Sequence, residues 1–224
     1  MVGDKQLTEL MLQQISEKKI WPSKKFYSAK LNEQEERHRK SEHTEYSLEP
    51  NVKTSPGGLR DIHTVMWIAR REFGAVTFAD LVERKFLTQA ESEILTRGRR
   101  LLWKIRYGLH LIAGRLDDRL LFEYQRQLAE ILGYKDNEQL AVEQFMQTYY
   151  RAAMEIRTTN DLLLQHFDEA IIRSNERTKI VPVNDRFQIC NAYIEVVNDQ
   201  VFAAEPSSLL EMFVILANDA GIQG

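Results

Sequence analysis

The sequence is poor in the residues that cross-link a chain or interrupt its regular structure. One cysteine, Cys190, stands in 224 residues, which excludes a disulfide within the chain. With no secretory leader in evidence, the expected setting is reducing and cytoplasmic. The 10 glycines and 5 prolines are about half the usual share of roughly 12%, so turns are few and long helices are expected. No apolar run approaches the roughly 18 residues of a membrane-spanning helix. A net charge of −3 gives no ground for nucleic acid as the main partner. The common catalytic signatures are missing too. There is no Gly-x-x-x-x-Gly-Lys-Ser/Thr loop, no Gly-x-Gly-x-x-Gly, no His-Glu-x-x-His, no Cys/His cluster and no Gly-x-Ser-x-Gly elbow. No His-Asp dipeptide occurs, and no Gly-Ser followed by the Asp-x-Asp pair that would hold two magnesium ions for nucleotidyl transfer.

What is present fits a globular protein that buries a sizeable core: 43% of the residues are apolar. Charge is unevenly spread. Residues 60–115 carry 11 basic and 6 acidic side chains, whereas residues 116–224 carry 9 and 18. A basic middle of this kind suits an anionic ligand or partner, or simply solvated helix faces.

The periodicity predicts a helical bundle. Asp4 caps a first helix running to about Lys19, with Leu7, Leu10, Met11 and Ile15 at helical spacing. Trp21-Pro22-Ser23 separates it from a second, very polar helix. Residues 41–55 are expected to be an ordered loop. A helix to Phe73 carries Leu59, Ile62, Val65, Met66 and Ala69 on one face, with Gly74 as its C-terminal cap. Thr77 opens a short helix. Thr88 and Glu91 form a capping box for a long helix reaching Gly114, striped by Ile94, Leu101, Ile105, Leu109 and Ile112. Asp117 or Asp118 is expected to cap a shorter helix, and Asn137 to open a very long one to about Ile172. After residue 173 the pattern changes. The apolar runs 187–197 and 201–204 around Asn198-Asp199 predict a β-hairpin, and Pro206-Ser207-Ser208 precedes a last helix. The fold class is therefore mainly α, a bundle of long helices with a small β-hairpin near the C-terminus. Two regions are expected, 1–173 and 174–224.

One segment asks for an explanation. In Ser55-Pro56-Gly57-Gly58-Leu59-Arg60, Ser55 fits an N-cap and Pro56 the first helical position, which would place Gly57 and Gly58 in the first turn. A glycine inside a helix costs about 1 kcal/mol against alanine, so the pair implies close approach by another group. That group is either an anion on the first-turn amides, helped by Lys53 and Arg60, or a neighbouring helix packed against a tight loop. A second cluster, Arg106, His110, Arg115, Asp117, Asp118 and Arg119, sits at a helix-to-helix turn and reads as a surface ion-pair network. The five histidines, His38, His43, His63, His110 and His166, are scattered.

The segment Leu48-Glu49-Pro50-Asn51-Val52-Lys53 with Ser55-Pro56-Gly57-Gly58-Leu59-Arg60-Asp61-Ile62-His63-Thr64 resembles one found in the bacterial uridylyltransferase/uridylyl-removing enzymes that modify the nitrogen-signalling protein PII. The resemblance continues through residues 67–74, 102–111, 118–125 and 163–170, with Glu123 where the family usually has Asp. A related segment occurs in the glutamine synthetase adenylyltransferases, but Leu59-Arg60-Asp61-Ile62-His63 is closer to the uridylyltransferase wording. The resemblance implies an excised piece, starting artificially at Met1, between a nucleotidyltransferase domain and a His-Asp hydrolase domain. It further implies a parent that uses magnesium and UTP, acts on PII, responds to glutamine and works beside neighbouring domains of its own chain. No catalytic or metal residue is expected in this segment. Lys53, Gly57, Gly58 and Arg60 are the candidates for a nucleotide-binding or domain-contact surface. A structural spacer and a free-standing regulatory helical protein are the competing readings.

Overall fold

The computed structural model describes residues 4–14, 20–41, 48–172, 180–190 and 193–218. The chain divides into two compact units, Met1–Ser174 and Asn175–Gly224. The first contains α1 (Lys5–Gln14), α2 (Ser23–Ser41), α3 (Leu59–Phe73), α4 (Phe78–Glu83), α5 (Gln89–Ala113), α6 (Phe122–Ile131) and α7 (Ala141–Ile171). The second contains β1 (Ile180–Pro182), β2 (Phe187–Cys190), β3 (Tyr193–Val196), α8 (Val201–Ala204) and α9 (Ser208–Asn218). Among the described residues no helix is long and apolar enough to cross a membrane.

The core of the first unit lies where α3, α5 and α7 meet. Leu59, Ile62, Val65 and Ala69 of α3 are buried, as the periodicity requires, and so are Phe145, Tyr149, Ile156, Leu163 and Phe167 of α7. On α5 the buried stripe is Leu95, Leu102, Ile105 and Leu109, rotated slightly from the expected one; Leu101 and Ile112 are only partly buried against the core. Two α5 glycines let neighbouring helices close in. A Cβ on Gly98 would lie 2.7 Å from Cδ1 of Ile156, and one on Gly108 would lie 2.5 Å from Cδ2 of Leu128. The Tyr27 hydroxyl donates to the Leu164 carbonyl at 2.8 Å and fastens α2 onto α7.

Several termini follow the local rules. Asp4 accepts the Gln6 amide at 2.7 Å, and the Thr88–Glu91 capping box is formed. Gly74 caps α3 at φ 66°. Other termini lie elsewhere than the sequence suggests. Helix α6 begins at Phe122, its first amide accepted by Oε1 of Glu49 at 2.9 Å, while Asp117 and Asp118 stay in the preceding loop. Helix α7 begins at Ala141, whose amide donates to Asp136 at 2.8 Å; Asn137 instead forms a local turn by accepting the Gln139 amide. The part of the expected loop at 42–47, and Ile15 of the first helix, lie outside the described residues. Leu7, Leu10 and Met11 of α1 are exposed.

The second unit is a three-stranded antiparallel sheet of order β1-β2-β3 with two short helices. Strands β2 and β3 pair with Phe187 opposite Val196 and Cys190 opposite Tyr193. The run 201–204 is helix α8 rather than the expected second strand. Asn198 opens it by accepting the Gln200 amide at 3.0 Å, an Asx turn that feeds a helix.

Candidate functional site

The loop 48–58 is built by its own side chains. Oδ1 of Asn51 accepts the amides of Lys53 and Thr54 at 3.0 and 2.9 Å, and the Ser55 hydroxyl accepts the Asn51 amide at 3.0 Å. The loop is then stitched to the α5–α6 connection. The Val52 amide donates to the Asp118 carbonyl and the Leu120 amide to the Pro50 carbonyl, both at 2.8 Å. Val52 is fully buried.

The glycine pair lies ahead of α3, not in its first turn. Gly58 is the N-cap, and Gly57 has φ 73°. A Cβ on Gly57 would fall 2.0 Å from the carbonyl oxygen of Ala153 in α7, and one on Gly58 would fall 2.7 Å from the Ser55 carbonyl. The close-approaching group is thus a neighbouring helix backbone. The amides that would cradle an anion are already engaged: Gly57 with Asp61 at 2.7 Å, Gly58 with Ser55, Leu59 with Val52 and Arg60 with Lys53. The first-turn anion cradle is replaced by an internal carboxylate, that of Asp61.

Asp61 is completely buried and collects three partners. Arg37 donates to it at 2.6 Å, His38 lies 3.0 Å away, and Gly57 supplies the amide. Arg37 also donates to the Thr54 carbonyl at 3.2 Å. The polar end of α2, unremarkable in sequence, therefore fixes the loop from behind. The ion pair of Asp61 depends on Arg37 and His38, which no local pattern points to.

Lys53 and Arg60 face outward from this scaffold and are partly exposed. Lys53 approaches Asp118 at 3.8 Å. Arg106 donates to the same carboxylate at 2.6 Å, and His110 lies 3.3 Å from it. Burial opposes ionisation of Asp118, but the hydrogen bonds from Arg106 and His110 and the charges of Arg106 and Lys53 outweigh it and hold the carboxyl below its ordinary range. The second cluster is thereby split: Arg106, His110 and Asp118 join Lys53, while Arg115 pairs with Asp117 at 3.2 Å. Arg60 lies over the ring of Trp67, 5.6 Å from its centroid.

Neither acid at the site suits a divalent cation. Asp61 and Asp118 each already face cationic partners, and among the described residues no group of three or more His, Cys, Asp or Glu side chains could hold a metal ion.

Comparison with known proteins identifies the family. The family model "GlnD PII-uridylyltransferase" matches residues 25–164, and "Uridylyltransferase GlnD third domain" matches residues 187–224. Curated bifunctional uridylyltransferase/uridylyl-removing enzymes align over 99% of this chain, with 52% identity in Stutzerimonas stutzeri, 49% in Pseudomonas aeruginosa and 47% in Azotobacter vinelandii. The chain spans 25% of the length of these relatives. No solved structure matches. With the 25–164 match covering more than half of its length, the chain belongs to the GlnD PII-uridylyltransferase family.

Proposed function

We propose that this chain is the helical companion of a nucleotidyltransferase domain, within an enzyme that transfers UMP from UTP to a tyrosine of PII and removes it again. In this reading magnesium and the reacting carboxylates belong to another part of the parent enzyme. Glutamine acts as an effector of that parent, and the enzyme works in the cytoplasm. The companion supplies a rigid cationic wall, with Lys53 and Arg60 facing the triphosphate or the partner domain. Gly57 and Gly58 set the loop's course rather than touch the ligand.

The observation that carries this reading is the loop 48–58 itself. It is pinned by the α5–α6 connection, by Asp61 and by the close approach to Ala153, yet it leaves Lys53 and Arg60 partly exposed. A preorganised cation binds an anion at lower entropic cost than a mobile one.

The test is transfer of labelled UMP from UTP to PII by the longer parent enzyme carrying Lys53→Ala or Arg60→Ala. A raised KM for UTP supports the reading. Unchanged KM and turnover in both variants would leave the segment a structural spacer.

A further inference from the structure

We propose that the exposed face shared by the loop before α3, by α3 and by the middle of α5 is a binding site for the phosphates of a nucleoside triphosphate, formed by Lys53, Arg60, Arg99 and Arg106 around His63. The inference rests on the companion reading only in naming a nucleotide as the source of the phosphates.

The face draws on three elements that are distant in sequence. Arg60, His63 and Trp67 are three and four residues apart on α3, and Arg99, Trp103, Arg106 and His110 keep the same spacing on α5, so each set occupies one side of its helix. The loop joins the two sides: Lys53 and Arg106 converge on the Asp118 carboxylate at 3.8 and 2.6 Å, and the Arg60 amide donates to the Lys53 carbonyl at 2.8 Å. Arg60 from the same helix as His63, Arg106 and Arg99 from α5, and Lys53 from the loop are all near enough to act on the His63 ring. Among the described residues Arg60 and Arg99 meet aromatic rings, Trp67 and Phe78, rather than carboxylates. Arg106 lies 5.2 Å from the Trp103 ring centroid. Both indoles are well exposed, Trp67 at 39% and Trp103 at 45%. Large exposed aromatics beside cations are costly to leave facing water and suit a planar, charged ligand.

The nearby acids offset only part of this positive charge: Asp118 pairs with two of the four cations, Arg106 and Lys53, and no ion pair joins Arg60 or Arg99 to a carboxylate among the described residues. Asp118 is engaged with Arg106, His110 and Lys53, and Glu33 is paired with Lys30 at 2.6 Å. The Asp118 carboxylate also shows what the cluster prefers: an oxygen anion that takes a 2.6 Å hydrogen bond from Arg106. Phosphate oxygens are stronger multivalent partners of the same kind. Four cations around one ring have a second consequence. Burial first, and then Arg60, Arg106, Arg99 and Lys53, push the His63 pKa below its ordinary 6.5, so the ring is neutral at pH 7. A polyphosphate placed among those cations cancels their field and lets the ring take up a proton. By linkage, the ligand then binds more tightly as pH falls.

The test uses this chain with inorganic tripolyphosphate, UTP, UMP and sulfate at matched ionic strength, following the histidine ring protons by NMR, with His63→Gln for assignment. Tripolyphosphate and UTP are expected to raise the His63 midpoint by about one unit, equivalent to about tenfold tighter binding at low pH than at high. His166, which faces the Phe86 carbonyl at 3.1 Å, is expected to stay unchanged. Arg99→Ala, on an exposed side chain that leaves the core intact, should weaken the tripolyphosphate response at least severalfold, and tryptophan fluorescence should report the same loss. An unmoved His63, or an equal shift from sulfate, overturns the proposal. The outcome is independent of the UTP KM test. A raised KM in the parent with no shift here keeps the companion role and removes this face as the phosphate site. A shift here with an unchanged KM supports the site and separates it from UMP transfer.

Discussion

The amide of Gly57 donates to Oδ2 of Asp61 at 2.7 Å, and the other oxygen of that carboxylate takes a 2.6 Å hydrogen bond from Arg37. One buried side chain therefore serves the turn before α3 and the end of α2 together. Removing it as Asp61→Ala takes the shared anion away from Arg37 and His38, whose side chains are only 14% exposed. Breaking a buried pair from one side costs about 3–5 kcal/mol, so urea unfolding should show a loss of that order. Asp61→Asn keeps an oxygen for the Gly57 amide and should cost less. A loss below about 1 kcal/mol for the alanine variant would mean that the ion pair does not hold the loop.

Gly57→Ala should be at least as damaging for a different reason. Its φ of 73° is disfavoured by about 1–2 kcal/mol for a residue with a Cβ, and the added carbon would meet the Ala153 carbonyl oxygen at 2.0 Å. That obstacle is backbone, so Ala153→Gly should not restore stability. Rescue by Ala153→Gly in thermal unfolding would show that the approach of the two segments is looser than the structure has it.

Gly98→Ala offers the contrast. Its Cβ would meet only the Ile156 side chain, at 2.7 and 2.8 Å. Overpacking of this kind costs about 1–3 kcal/mol. Here a second-site change should help: Ile156→Val removes the nearer atom, and the double variant should unfold at a higher temperature than Gly98→Ala alone. Additivity of the two losses would sink this account of the α5–α7 contact.

These three sites mark how far the sequence reaches. The amphipathic stripe of α3, the Thr88–Glu91 box and the Gly74 cap are local features, and they appear where the pattern puts them. Ambiguity enters with Asx residues. Asp117, Asp118 and Asn137 carry the side chains that cap helices, but the same oxygen closes a turn in a loop, and here it does so for Asp117 and Asn137. The run 201–204 is too short for periodicity to tell helix from strand. The glycine pair is a clear signal of close approach, yet whether the approaching group is a phosphate or a helix depends on Ala153, whose position no local pattern gives. Likewise the spacing of Arg60 and His63, and of Arg99 and Arg106, is legible on each helix, but their meeting is a product of the α3–α5 packing.

Asp118 sets an acid limit to stability at the α5–α6 connection. Its carboxyl is held below the ordinary 3.8, so the unfolded chain binds its proton more readily than the folded one. Its contribution is present above that ordinary value and is lost as pH falls through the lower folded value. The difference in melting temperature between the protein and Asp118→Asn should be largest near neutral pH and shrink through the carboxylate range. A difference that stays constant to low pH would place the effect in packing rather than charge.

His63 predicts a separate loss of stability at milder acidity. Its folded pKa is depressed, chiefly by burial and then by the neighbouring cations. As pH falls below the ordinary 6.5, the unfolded chain takes up a proton that the folded ring resists. Stability must therefore fall on the acid side of that value. His63→Gln has no proton to gain, so its melting temperature should change less between pH 7.5 and 5 than that of the unaltered chain. Parallel pH profiles for the two would show that His63 is not held neutral, and that the cations of α3, α5 and the loop do not act on it together.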